Sequence, residues 1–392
     1  TTVFFVNQIR EKVGVMYGCL HAETLVNFVD GRSLPIREVV ENKINGEVWS
    51  FNEETGEYEP KRIVGWHYNG EVETPEDFIH IQTESIDGGG RFGFTVTPNH
   101  LVLTDNGWIE AKDITMSTRI ASKYRSTING TLGDFMWGSF VGDSTILIRS
   151  QNTGSYKIQD TKNEEYMLWK LSKISNHIKM RRNADRFESD FSYEFAKIKR
   201  EIGNRNPLSF LKDHFSPMGL AIWYMDDGSL NESEGRRRVT LSIKRFKDSE
   251  VLNEIVEEFR KKGFDVSAHS SSGSIIFNRD ASNYLFESIS QFVPDCMQYK
   301  LPEEFQGRYQ DFELTSEPKI VQDFVKVKEI RYASKRQMRQ KGRYDISVED
   351  NHNYVVGGKN NGIVVHNSPE ITSGGRALSF YASQRINVRI DT

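Results

Sequence analysis

The sequence predicts an all-β module interrupted by an α/β module, and three observations carry that reading. The chain has 392 residues, more than the roughly 250–300 at which single cores stop growing. From Cys19 to about Ser122, short alternating runs read as strands: Thr24-Leu25-Val26-Asn27-Phe28, Gly93-Phe94-Thr95-Val96-Thr97 and His100-Leu101-Val102-Leu103. They are separated by the turn signals Asp30-Gly31, Asn69-Gly70 and Asn106-Gly107. Between about Gly133 and Gln306 the pattern is mixed. Helix-like segments around Trp137, Met167–Ile178, Leu220–Met225 and Val251–Lys262 alternate with strands such as Arg238–Ile243 and Ser274–Phe277. After Pro318 the β pattern returns, in Val325-Lys326-Val327 and Tyr344-Asp345-Ile346-Ser347-Val348.

Composition narrows the function classes. Charged residues make up 27% and hydrophobic ones 37%, with 24 Phe and 15 Tyr available for cores. No stretch approaches the roughly 20 apolar residues of a membrane span. The first residues lack a basic region followed by a long apolar one, so no secretory signal is visible and a cytoplasmic chain is expected; a monomer is also expected. Two cysteines, Cys19 and Cys296, exclude a disulfide scaffold and a Cys₄ zinc site. Cys296 reads as core. The net charge of −4 hides an asymmetry: Lys123–Lys300 holds 27 basic against 24 acidic residues inside an acidic frame. That points to a nucleic-acid partner for the middle module. Arg331–Arg343 carries six basic residues and no acidic one, as a solvated loop or a phosphate contact would.

The chemistry sits at the ends of the β module, in Gly18-Cys19-Leu20 and His366-Asn367-Ser368. A thiol preceded by an unhindered glycine carbonyl can attack it and exchange an amide for a thioester. A later serine hydroxyl can take the acyl group. An asparagine before that serine can cyclise onto its own carbonyl and cut the chain, with a neighbouring histidine assisting the leaving amine. In this order the residues resemble an intein. Cys19-Leu20-x-x-x-Thr24-x-Val26 before Asp30-Gly31 is similar to the N-terminal splicing motif, and Thr97-Pro98-Asn99-His100 to the Thr-x-x-His motif. Tyr344–Glu349 with His352-Asn353-Tyr354 is similar to the penultimate motif, and Val364–Ser368 to the C-terminal junction. The resemblance implies the horseshoe-shaped all-β Hint fold, shared with Hedgehog autoprocessing domains. It also implies roles: Thr97 and His100 bind and protonate the Gly18–Cys19 bond, and Asp345 couples the first step to the branch step. His352 and His366 assist Asn367, and Ser368 receives the chain. No cofactor is implied for splicing.

In the middle module, Phe135–Ser144 and Leu220–Ser229 each end an apolar helical run in an acid. Gly138 and Gly142 lie on one helix face, where a second helix can approach closely. Two carboxylates at the ends of such helices can share divalent cations for phosphodiester cleavage, Mg²⁺ being the hard, oxygen-seeking choice. These runs resemble the monomeric LAGLIDADG homing endonucleases. The resemblance implies two pseudo-symmetric ααββαββα-like halves, double-stranded DNA as substrate (the intein-less host gene), and Asp143 and Asp227 as catalytic, metal-binding acids. Asp226 is expected to point elsewhere. Lys300 is the candidate catalytic lysine of the second half, with Lys197 or Lys199 its first-half counterpart. Trp137, Ser139 and Ser144 depart from the family pattern, which leaves open an intein that only splices, with a decayed nuclease. A Hedgehog-type self-cleaving domain is a further alternative, opposed by Asn367-Ser368.

The flanks, with strand-like Val3–Val6, Gln8 and the Gly-rich stretch after Ser368, together resemble RecA-type recombinases near their DNA-contacting loop. The expected organisation is an N-extein fragment 1–18, Hint segments 19–122 and 315–367, an endonuclease domain 123–314 and a C-extein fragment 368–392.

Overall fold

Apolar and polar residues alternate strictly along Ile79–Glu84, burying every second side chain, the period of a strand with one face on a core. Repeated along the chain, such runs build a sheet of fourteen strands. The computed structural model describes residues 18–86, 91–150, 152–159, 163–233, 236–357 and 362–367. Among them the chain separates into two units. One gathers residues up to Ser85, those up to Tyr124 and those from Ile320; the other is built on Arg125–Lys319.

In the first unit the first and last strands of the described residues are each clamped between other strands. Leu20–His21 pairs with Gly342–Val348 on one side and Arg91–Val96 on the other. Gly362–His366 runs between Asn353–Val356 and Leu101–Thr104. A short helix, α1 (Ile36–Glu41), packs Ile36, Val39 and Val40 into the core.

Two of the three turn signals behave as turns: Gly31 and Gly107 take φ of +89° and +86°, the latter closing the Leu101–Glu110 hairpin. The third does not. Asn69-Gly70 lies inside the long strand Glu57–Glu71. There the register with Gly342–Val348 slips: Tyr68 faces Tyr344 and Glu71 faces Gly342. Two residues thus oppose Arg343 alone, a β-bulge in which Gly70 adopts φ +76°.

The second unit is a doubled motif. Its first half runs α2 (Gly130–Val141), two strands, α3 (Glu164–Ile174), two strands and α4 (Tyr193–Ile202). After α5 (Leu208–Asp213) the second half repeats it with α6 (Pro217–Asp227), α7 (Val251–Lys261) and α8 (Arg279–Ile289). Each half forms a four-stranded antiparallel sheet in the order first-second-fourth-third. Counting α5, the second half reads ααββαββα; the first lacks the leading helix. Nine of the twelve residues of α2, from Leu132 to Val141, are buried, which explains an apolar run with no polar face. A Cβ on Gly138 would stand 2.2 Å from the Gly219 carbonyl oxygen, so α2 and α6 touch backbone to backbone. Cys296 is half-buried and packs against this core.

Candidate functional site

At the first junction, the Cys19 amide donates to Thr97 Oγ1 at 2.8 Å, and Thr97 N donates back to the Cys19 carbonyl at 2.9 Å. The Thr97 hydroxyl also reaches Asn99 Oδ1 at 2.9 Å. A turn follows, with His100 N donating to the Thr97 carbonyl at 3.0 Å. This brings the imidazole against Gly18, where a Cβ would lie 2.6 Å from His100 Cα and 2.9 Å from Nδ1. Only glycine fits before Cys19. His100 is wholly buried, and burial lowers its pKa to about 4; the Gly18 backbone acts the other way, and His366 lowers it further.

The Cys19 thiol is buried too. Burial and then the Asp345 carboxylate push it up to about 12, while the Asn69 side chain and the Arg343 charge oppose the rise. Asn69 Nδ2 donates to Cys19 Sγ at 3.2 Å. Asp345 is fully buried and accepts the Tyr354 hydroxyl at 2.8 Å and its neighbour's Ile346 N–H at 2.8 Å. Tyr354 is itself within electrostatic reach of Cys19.

At the second junction, Asn367 is buried. Its N–H donates to the His352 carbonyl at 2.9 Å, so His352 meets Asn367 through its backbone while its side chain is exposed. His366 Nδ1 lies 2.5 Å from the Asn367 carbonyl oxygen, and its ring meets Trp108 edge to face at 5.1 Å. The Asn367 Oδ1 has no hydrogen-bond partner among the described residues. His100, in contact with Gly18 and electrostatically coupled to His366, links the two junctions. Ser368 and the flanks, Gln8 included, lie outside the described residues.

In the second unit the acids end the paired helices. Asp226 is completely buried and turned away from solvent: Lys170 Nζ grips both its oxygens at 2.6 and 2.8 Å, and Tyr166 donates to Oδ1 at 2.8 Å. Its Oδ2 also accepts the Asp143 N–H at 3.0 Å. A Cβ on Gly142 would collide with that carboxylate, at 2.2 Å. Asp226 therefore holds the backbone of Asp143. The Asp227 carboxyl is raised to about 7 by burial, then by Asp143 and Asp226.

Lys300 Nζ donates to the carbonyls of Met225 at 2.5 Å and Gly228 at 3.0 Å, bracketing Asp227. Arg205 does the same in the first half, donating to the carbonyls of Gly142 at 2.8 Å and Asp143 at 3.3 Å and to Thr145 Oγ1 at 2.6 Å. It also feels the charges of Asp143, Asp227 and Asp226. Lys199 lies near Arg205 and Arg245, and Lys197 sits on α4. Arg205 is thus the symmetry counterpart of Lys300. Sequence reasoning passed over it because it looked for a lysine.

Ser139, Ser144 and Tyr156, two of them departures from the family pattern, hydrogen-bond one another at 2.6–3.0 Å in the core. Trp137 stacks on His214. Among the described residues no three His, Cys, Asp or Glu side chains are arranged to hold a metal. Asp143 and Asp227, close enough for the one charge to raise the other beyond what burial does, nevertheless fit a hard divalent cation that completes its shell with other oxygens. No helix among the described residues is long and apolar enough to cross a membrane.

A β frame that gathers a glycine–cysteine and a histidine–asparagine junction, and carries a doubled αββαββα unit on paired helices, defines an intein with a homing endonuclease unit. The model of the LAGLIDADG DNA endonuclease family matches residues 134–285. The chain is 31% identical to the RecA protein of Mycobacterium leprae (strain TN) over 414 residues, covering 99% of this chain but 57% of that protein. It is 31% identical to that of Mycobacterium shimoidei, covering 97% and 93%. The DnaB intein from Synechocystis sp. PCC 6803 aligns with 26% of this chain and 67% of its own, at 21% identity and a TM-score of 0.23. The chain belongs to the RecA protein family: it is a RecA-type intein with a LAGLIDADG homing endonuclease unit, flanked by short RecA-type segments.

Proposed function

We propose that the chain excises Cys19–Asn367 from itself and joins Gly18 to Ser368. The reading is carried by the contact of Cys19 N with the Thr97 hydroxyl, with Gly18 pressed against His100. Cys19 Sγ attacks the Gly18 carbonyl; the C–S bond forms and the C–N bond breaks. The thiol proton leaves to Asp345, the carboxylate that acts on it electrostatically. The freed Cys19 nitrogen takes a proton from the neutral His100 ring, which regains one as Asp345 gives up the thiol proton, so that the net transfer is from sulfur to nitrogen. The Ser368 hydroxyl then displaces the thiol. Asn367 turns its side-chain nitrogen onto its own carbonyl, closing a succinimide and releasing Ser368. His366 polarises that carbonyl from 2.5 Å, and His352 holds the Asn367 N–H through its backbone. An acyl shift from oxygen to nitrogen leaves a peptide bond between Gly18 and Ser368.

The second unit cuts double-stranded DNA. Asp143 and Asp227 would hold Mg²⁺, which, when bound, polarises the phosphodiester and stabilises the charge of the leaving oxygen. Asp226, neutralised by Lys170, positions Asp143. Lys300 and Arg205 hold the loops that carry the acids. The host is a DNA-dependent ATPase of RecA type, silent until the flanks are joined, and the chain acts as a cytoplasmic monomer.

Expression of the chain followed by mass measurement tests the splicing. Two products are expected, Cys19–Asn367 and a peptide linking Gly18 to Ser368; cleavage at Gly18 without joining would favour a Hedgehog-type reaction instead. Incubation with an uninterrupted host gene and Mg²⁺ tests the nuclease separately, and uncut DNA would mean a unit that has decayed.

A further inference from the structure

The bulge at Asn69-Gly70 does more than bend a strand. Cys19 precedes Leu20–His21, which pairs with one edge of Gly342–Val348, while Glu57–Glu71 pairs with its other edge. Asn69 therefore reaches the sulfur across an intervening strand. A regular ladder has no place for that reach. The extra residue opposite Arg343, with Gly70 in the left-handed region, gives the local twist that aims the amide. We infer that Asn69 is a catalytic residue of the first splicing step, directing and stabilising the Cys19 sulfur as it becomes a thiolate. The inference rests on the splicing reading above.

The geometry explains why such a group is needed. Cys19 is buried and faces a carboxylate, an environment that disfavours the nucleophilic anion. A neutral amide donor can lower that cost without adding a charge that would pair with Asp345. Its N–H occupies a sulfur lone pair at 3.2 Å, which leaves the single S–H free to point away from Asn69. The amide only donates a hydrogen bond; no bond to it forms or breaks.

The test uses the full chain with Asn367→Ala, which stops the reaction before cyclisation. Dithiothreitol should cleave it between Gly18 and Cys19. Adding Asn69→Ala should slow that cleavage by about tenfold to a hundredfold, the range of one hydrogen bond to a charged group. The rate of alkylation of Cys19 by iodoacetamide at about pH 8 should fall by about tenfold over the same change, as a rise of about one unit in the thiol demands, and Asn69→Gln should recover part of both. Equal cleavage and alkylation rates with and without the amide overturn the inference. So does an equal loss of C-terminal cleavage, measured in Cys19→Ala, which would mark a structural role. If the chain with Asn69 in place does not cleave, the splicing reading fails, and the alkylation rate at that pH still decides whether Asn69 acts on the sulfur.

Discussion

His100 carries a cost that shows in acid. Packed against Gly18 and wholly buried, it has a pKa of about 4 in the folded chain, against about 6.5 when exposed. Between those values the unfolded chain binds the proton more readily. The stability linked to His100 is therefore complete above about pH 6.5 and is lost as pH falls toward 4, by on the order of 3 kcal/mol. Hydrogen exchange of Leu101–Thr104 and Gly362–His366, followed from pH 8 to 4 in the Cys19→Ala, Asn367→Ala chain, reads this loss. Replacing His100 with Asn should remove about half of the pH dependence, because burial pushes His80 down to about 4 as well; unchanged slopes would show that other groups govern it. The same residue shows how much of the site the sequence could carry. Cys19, Thr97, His100, Asp345, His366 and Asn367 all stand in short motifs whose chemistry is local to each triplet or strand. Asn69 and Arg205 do not, because each gains meaning from a partner tens of residues away: Cys19 and the Gly142 carbonyl.

Elements were legible where one periodicity ruled them. The apolar runs of α2 and α6 read as helices, and the four-residue spacing of Gly138 and Gly142 read as a close approach, which the Gly138–Gly219 contact makes literal. Asn69-Gly70 read as a turn because a left-handed glycine looks the same in a hairpin and in a bulge; only the strand opposite distinguishes them. The glycine contact between helices gives a second prediction. A methyl at 138 would meet the Gly219 backbone at 2.2 Å, and neither helix can yield without moving the other. Gly138→Ala should push α2 from α6 and cost about 1–3 kcal/mol, as overpacking does. It should also separate Asp143, at the end of α2, from Asp227, at the end of α6. The sharper readout is the Mg²⁺ concentration needed for DNA cleavage, which should rise while splicing proceeds at its former rate. A variant that cleaves normally would show that the acids do not depend on that contact.

For the whole molecule, the question is whether the splicing chemistry needs the inserted unit. The chain leaves the β frame along Arg119–Ser126 and returns along Lys319–Tyr332, and these two strands are neighbours in the sheet. Where they end, Ser316 Oγ donates to the Thr127 carbonyl and Glu317 N to Asn129 Oδ1 at 2.9 Å, so exit and re-entry lie side by side. Every described group named at the two junctions belongs to the first unit. Removing the segment between Ser126 and Lys319 thus leaves a gap that a short turn can close, and loop closure over so few residues costs little entropy. A chain in which a four-residue Asn-Gly turn joins Ser126 to Lys319 should fold and splice, yielding the ligated Gly18–Ser368 peptide at a rate within about tenfold of the full chain; it should cut no DNA. Mass measurement of its products decides the matter. A shortened chain that keeps the hydrogen-exchange protection of Gly362–His366 but releases no ligated peptide would mean that the second unit contributes to splicing, and that the sites assigned to Cys19 and Asn367 are incomplete without it.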